Sequence, residues 1–251
     1  MALDGKVALV TGAAKRLGRS IAVVFAESGA DLVLHVHTSS GEEVARAVRA
    51  RGRRAFVIRA DLSRAMEVTH LMQDAFNQAG QVDILVNSAA VFFPTLLTNL
   101  TVDAWRGIIR TNLTAPFVLS LLLGKKMRAQ GWGRIVQLSD WSGWRPVPRY
   151  LPYCVSKGGL NVLTHVMAKA LAPQVTVNGV ALGPVLVPDH YEGRSRQMIA
   201  AQTPLGRLGN VADVAHAVRF LVERGDFVTG ATYCVDGGKL ARVSGDMSTS
   251  L

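Results

Sequence analysis

The sequence predicts an α/β fold, a single doubly wound domain over residues 1–251 in which a seven-stranded parallel sheet carries helices on both faces. Three observations predict it. Short β-branched runs alternate with longer amphipathic stretches, and strands separated by helices must cross over and run parallel. The strand-like runs are apolar with little alternation, as strands covered on both faces are. No linker, low-complexity stretch or internal repeat divides the chain, and 49% hydrophobic against 18% charged residues supplies one large core.

The first run, Val7–Val10, passes into a helical pattern at 17–29 through Thr11-Gly12-Ala13-Ala14-Lys15-Arg16-Leu17-Gly18. Glycine lets backbone approach a pyrophosphate closely, and the helix N-terminus offers free N–H donors, the Rossmann arrangement for a dinucleotide. Gly12, Lys15, Arg16, Leu17 and Gly18 are therefore candidate cofactor residues. Arg16 stands where the usual middle glycine would be, and its cation can reach phosphate or a ligand stacked over it. The second run, Leu32–Val36, ends on His37-Thr38-Ser39-Ser40, with no acid before Glu42. A carboxylate there would bind both ribose hydroxyls of NADH. Hydroxyls, an imidazole and nearby Arg16 suit a 2′-phosphate instead. NADPH is the expected cofactor, with His37, Thr38 and Ser39 at its phosphate.

A helical pattern at 41–51 leads to the run Ala55–Arg59 and then to Asp61-Leu62. Asp61 accepts from the adenine amino group, caps the helix at 66–79, or does both. Ile84–Asn87 closes on Asn87-Ser88-Ala89-Ala90, small residues that let a cofactor pass. The long helical pattern 101–130 holds Asn112 among Leu113, Phe117 and Val118, as a buried polar group with a task or as a satisfied, helix-bending amide. Ile135–Leu138 leads to Asp140, and the pattern 153–171 opens with Tyr153 and Lys157 on one helix face. A tyrosine pKa of about 10 is too high for proton transfer at neutral pH, and a neighbouring ammonium lowers it. Val175–Val180 precedes an irregular insertion, 184–206, read as a substrate lid or a solvated connection. Gly183, Pro184 and Val185 stand at its start, where such sheets bind ligands, and join the cofactor residues. The pattern 211–222 and the run Thr232–Val235 complete the sheet. The polar tail 241–251 is either loose or docks on another subunit.

A net charge of +10 attracts anions, but the arginines are scattered and form no recognition arm, so no nucleic-acid partner is expected. Trp141 and Trp144 are read as shaping the substrate pocket or a subunit contact. The two cysteines, Cys154 and Cys234, have no metal-ligand spacing, and neither a metal nor a disulfide framework is expected. His35, His165 and His216 are read as structural. The start Met1–Lys6 lacks the features of a signal peptide, and no segment is read as long enough to span a bilayer. A cytoplasmic protein without a membrane partner is expected.

Thr11–Gly18, Asp61, Asn87–Ala89, Asn112, Tyr153-x-x-x-Lys157 and Asp236-Gly237-Gly238 together resemble the signature set of short-chain dehydrogenases/reductases, from residue 5 to about residue 238. Within that superfamily the chain is most similar to pteridine and dihydromonapterin reductases. Arg16-Leu17-Gly18, His37 with Ser39, and Asp140 in place of the usual catalytic serine point there. Phe92-Phe93-Pro94-Thr95 also resembles the segment that places a phenylalanine over the pterin ring. The resemblance implies that Tyr153 donates a proton, and that Lys157 holds the nicotinamide ribose and tunes Tyr153. It implies that Asn112 anchors a water leading to Lys157, and that Arg16, Ala90, Phe92, Asp140 and Tyr153 meet the substrate. It also implies a homotetramer. Ala90 and Thr38 stand where the family often has a serine and an arginine, and Leu182-Gly183-Pro184 replaces the more usual Pro-Gly.

Asp140 sets the expected chemistry. Reducing a ketone builds charge on oxygen and needs hydrogen-bond donors, which serine supplies and an ionised aspartate does not. A ring nitrogen that gains a proton as hydride arrives is served by a carboxyl group beside a phenol. The expected function is NADPH-dependent reduction of a dihydropterin or dihydrofolate; alternatively, Asp140 only caps a turn or orients Tyr153. The rival enzymes are a ketone or quinone reductase and a 3-oxoacyl reductase-like alcohol dehydrogenase. A rival from another class is a non-catalytic dinucleotide sensor, which would not need the Tyr153/Lys157 pair.

Overall fold

The β-branched runs form strands, and the amphipathic stretches between them form helices, in the computed structural model, which describes residues 1–186 and 193–242. The order is β1 (Val7–Val10), α1 (Arg16–Glu27), β2 (Asp31–Val36), α2 (Glu42–Arg49), β3 (Ala55–Arg59), α3 (Ala65–Ala79) and β4 (Ile84–Asn87). It continues with α4 (Val102–Ile109), α5 (Ala115–Ala129), β5 (Gly133–Asp140), α6 (Leu151–Leu171), β6 (Val175–Leu182), α7 (Arg194–Ala201), α8 (Val211–Glu223) and β7 (Thr232–Val235). All seven strands are parallel, in the order β3-β2-β1-β4-β5-β6-β7. The order reverses between β1 and β4, which opens a crevice at the carboxyl ends of the strands.

Strand alternation divides the core between the two faces. Ala8 and Val10 face α1, α2 and α8 through Leu17, Phe25, Val48 and Val218. Val7 and Leu9 face α3, α5 and α6 through Leu71, Leu119, Met127 and Leu171. The register also lines up the carboxyl ends: Asp140 pairs with Leu182, and Leu182 with Val235. Loops that leave β5, β6 and β7 therefore meet at one edge.

Two expectations change. The stretch Val102–Ala129, with a mean hydropathy of 1.3, is long and apolar enough to cross a membrane, contrary to the expectation that no segment is. Leu119, Leu123 and Met127 in it are fully buried against the sheet, as in a core helix of an α/β fold. The stretch is also not one regular helix, because a π turn, Arg110–Thr114, separates α4 from α5. Asn112 in that turn is 1% exposed. Its Oδ1 accepts from Val91 N at 2.8 Å, and its Nδ2 donates to Val91 O at 2.9 Å and to Ser156 Oγ at 3.4 Å. The wide turn lets one amide satisfy the chain leaving β4. The amide thus holds the loop after β4 onto α6.

Asn112→Ala should leave Val91 N–H and C=O unpaired and cost about 2–4 kcal/mol, on the scale of one to two buried polar groups losing their partners. Urea unfolding measures it; a loss below about 1 kcal/mol would mean that water replaces the amide.

Candidate active site

The carboxyl edge opens into a cleft of about 980 Å³. The turn after β1 forms one end. Thr11 Oγ1 accepts from Ser88 N at 2.9 Å and Ala89 N at 3.0 Å, which clamps this turn to the loop after β4. Gly12 has φ +67°, and a Cβ on Gly18 would lie 2.3 Å from Gly12 O, so both positions require glycine. Helix α1 then starts with no side-chain cap and no acid in its first turn, behind Lys15. Its N–H groups and dipole present positive charge to the cleft, a cradle that fits a pyrophosphate. Arg16 adopts φ +51° where glycine would sit without strain, and its side chain lines the same cleft.

His35, read from the sequence as structural, holds this cradle. Gly12 N donates to its Nδ1 at 3.1 Å, and its Nε2 bonds Ala60 O at 3.0 Å. The pair requires a neutral ring with its proton on Nε2, and burial lowers the pKa from 6.5 to about 4. His37, Thr38 and Ser39 line the cleft beyond it. Arg59, at the end of β3, donates Nη1 to His37 O and Nη2 to Ser39 O, the latter at 3.4 Å. It sets a guanidinium behind the segment expected to meet a 2′-phosphate. The sequence reading missed it because only the register, Val36 beside Arg59, brings it there. Asp61 and Leu62 line the cleft as expected. Asp61 does not cap α3, whose N-cap is Arg64. Its Oδ1 accepts from Ser63 N at 2.9 Å and shapes the preceding turn; that bond lowers its pKa.

At the other end β5 delivers Asp140 and α6 delivers Tyr153 and Lys157. α6 starts at Leu151, two residues before the sequence pattern, with Pro152 tolerated in the first turn. Tyr153 OH donates to Asp140 Oδ2 at 3.2 Å, while Asp140 Oδ1 accepts from Ser142 N at 2.9 Å. Lys157 Nζ donates to Leu138 O at 2.6 Å. Burial lowers the Lys157 pKa to about 8 and raises that of Asp140. Burial and the Asp140 charge push Tyr153 well above its ordinary value. The expected lowering by Lys157 is thus reversed in this state, and the phenol is firmly protonated. Phe92 lies edge-on to Tyr153, ring centroids 4.7 Å apart, and stacked on Tyr150 at 4.5 Å.

The cleft wall also includes Ser88, Ala89, Ala90, Gly183 and Pro184, as expected. Three expected site residues stand behind it. Asn87 is turned into the core, donating to Ser120 Oγ at 3.2 Å and Gln137 Oε1 at 2.9 Å. The Asn112 amide is engaged by Val91, so it positions the wall and does not form it. Val185 packs into the core and lines a separate small cavity with Leu205 and Asp236. Within the expected lid, α7 is a helix, and 187–192 lie outside the described residues, as do 243–251 of the expected tail. Among the described residues no cluster could hold a metal ion.

The family profile described as Enoyl-(Acyl carrier protein) reductase matches residues 12–239. This chain belongs to the short-chain dehydrogenase/reductase family. An uncharacterised oxidoreductase from Thermotoga maritima is 32% identical, covering 96% of this chain and 98% of its own length. A 3-oxoacyl-[acyl-carrier-protein] reductase from Synechocystis is 34% identical over 94% of this chain and 98% of its own. The crystal structure of a short-chain alcohol dehydrogenase candidate from Sinorhizobium meliloti 1021 superposes with a TM-score of 0.91 at 30% identity, covering 96% and 98% of the two chains. The chain is therefore an oxidoreductase with a small-molecule substrate, and the cradle described above fits the nicotinamide dinucleotide that short-chain dehydrogenases/reductases use.

Because His35 stays neutral when folded, its contribution to stability is present above pH 6.5 and is lost as pH falls toward 4. The full shift corresponds to about 3 kcal/mol. Urea midpoints at neutral pH and near pH 4 should show a loss smaller by about that amount in His35→Gln than in the parent; equal losses would remove His35 as the acid-sensitive group.

Proposed function

We propose that this short-chain reductase uses NADPH to reduce a C=N bond of a flat, nitrogen-containing ring of the pteridine class. The observation that carries the reading is the buried pair of Tyr153 OH and Asp140 Oδ2 at 3.2 Å, walled by Phe92. The bound dinucleotide supplies a hydride. Gly12, Gly18 and the α1 N-terminus would hold its pyrophosphate, and Lys157 would hold the nicotinamide ribose. Lys157 keeps its ammonium on the Leu138 carbonyl while Tyr153 keeps its proton. With its raised pKa, Asp140 takes up a proton more readily than an exposed acid and hands it to a ring nitrogen with Tyr153. Phe92, 46% exposed at the mouth, offers a face for stacking.

Ketone reduction is the second reading, favoured by the relatives named 3-oxoacyl-[acyl-carrier-protein] reductases. Asp140→Ser separates the two. It should lower dihydropterin reduction by about 10²-fold and improve or create ketone reduction, since it adds a donor and removes a charge facing the nascent alkoxide. Tyr153→Phe should abolish both activities and spare cofactor binding. If Asp140→Ser leaves the ratio of the two activities unchanged, the ketone reading stands.

NADPH over NADH rests on the lack of a carboxylate at the end of β2 and on the cations Arg16 and Arg59 near it. Fluorescence titration should show tighter NADPH binding. His37→Asp should shift preference toward NADH, and Arg59→Met should weaken NADPH about tenfold more than NADH. Equal affinities in the parent protein would overturn the preference.

A further inference from the structure

Beyond Asp140 the cleft continues along the shared edge of β5, β6 and β7. The loop after β7 turns at Asp236, which accepts from Gly238 N at 2.9 Å and Leu240 N at 2.8 Å. Gly237 and Gly238 have φ +63° and +83°, and the turn packs on Thr203 and Pro204, where a Cβ on Gly238 would lie 2.8 Å from Pro204 Cγ. The turn delivers Lys239 into the cleft wall beside Trp141 and Gln202. The Lys239 ammonium lies 5.3 Å from the Trp141 ring centre and donates to Gln202 Oε1 at 2.8 Å. Arg145, half-buried in the loop that follows Trp141, donates to Arg242 O. Arg242 in turn donates Nη1 to Ala201 O at 2.7 Å. Among the described residues neither Lys239 nor Arg145 forms an ion pair with a carboxylate.

Among the described residues the partly buried Lys239 ammonium has one neutral acceptor, Gln202 Oε1, and a cation so placed gains from an anion beside it. Burial and the Arg242 and Arg145 charges lower the Lys239 pKa, the cost seen from the proton's side. A carboxylate or phosphate on the cleft side of the Lys239 ammonium would offset that repulsion and gain charge-assisted hydrogen bonds.

We infer that Lys239, in the cleft wall beside Trp141 and Gln202, forms an anion subsite for the distal arm of the substrate, so that the enzyme prefers substrates carrying a carboxylate or phosphate on the end remote from the reacting bond. The inference rests on Asp140 and Tyr153 marking the reacting end, but it does not depend on whether the reacting group is a pterin or a ketone.

The test compares two pairs that differ in the charge of the arm. Dihydrofolate, with its acidic tail, is set against dihydrobiopterin, and acetoacetate against its ethyl ester. Binding is read by Trp fluorescence on protein saturated with NADP⁺, and kcat/KM is read with NADPH. In at least one pair the acidic member should be preferred by tenfold or more. Lys239→Met should cut that ratio about tenfold through KM, and Lys239→Arg should restore most of it. No preference for the acid in either pair, or a ratio that survives Lys239→Met, overturns the subsite. Loss of turnover in both pairs with the acidic preference in binding intact would instead count against the proposed reaction and leave the subsite standing.

Discussion

A buried ammonium must find an acceptor, and much of the reacting end follows from how Lys157 finds one. Lys157 is 4% exposed, and its Nζ reaches the carbonyl of Leu138 at 2.6 Å, two residues before the end of β5. Desolvating that charge is costly, so helix and strand must stay in fixed register to repay it. Other contacts hold the same register. Ser139 Oγ donates to Asn161 Oδ1 at 2.5 Å and lies 3.3 Å from Lys157 O. Gly143 and Gly158 let the turn after β5 press onto α6, where a Cβ on Gly158 would lie 3.2 Å from Gly143 O. With α6 so fixed, Tyr153, one turn before Lys157, can only meet Asp140.

That placement also explains why the phenol is held protonated. The lysine charge is directed at a backbone carbonyl and lies 5.5 Å from the Tyr153 ring centre, while the Asp140 carboxylate shares a hydrogen bond with the phenol oxygen. Burial does most to keep the phenol protonated, and the hydrogen-bonded Asp140 carboxylate adds to it. In the proposed reduction, a phenol that gives a proton to substrate gains from being fully loaded before the substrate arrives. At the opposite end the same economy of charge appears in the backbone: Arg16 keeps a left-handed φ of +51° that glycine would relieve, and in exchange a cation stands at the N-terminus of α1.

Strand positions were legible because a buried parallel strand has a strong signature. Val7–Val10, Ala55–Arg59, Ile84–Asn87 and Thr232–Val235 coincide with the runs read from the sequence. The residues fixed by local spacing were legible too: Tyr153 with Lys157 through the helix repeat, Gly12 with Gly18 through the strand-turn-helix. What stayed hidden depends on pairing between distant segments. Arg59 reaches the end of β2 only through sheet register, and Lys239 reaches Trp141 only because β5 and β7 end at the same edge. Asn112 looked like a polar residue with a task, but the π turn that gives the task its form has no local pattern. His35 looked ordinary because nothing near it in sequence reveals that Gly12 N points at its ring.

Asp140 connects the two halves of the substrate cleft. It is the last residue of β5, still extended at φ −151° and ψ 149°, and its two oxygens divide the work. Oδ1 holds Ser142 N and so fixes the short turn Trp141–Gly143, while Oδ2 meets the phenol of Tyr153. A carboxylate offers these two donors separate oxygens, whereas a serine would have to meet both through one shorter-reaching hydroxyl. The turn carries Trp141, against which Lys239 rests. The aspartate therefore does more than change the proton chemistry of the site. It ties the position of the Tyr153 phenol to the turn that carries Trp141, the ring against which Lys239 rests.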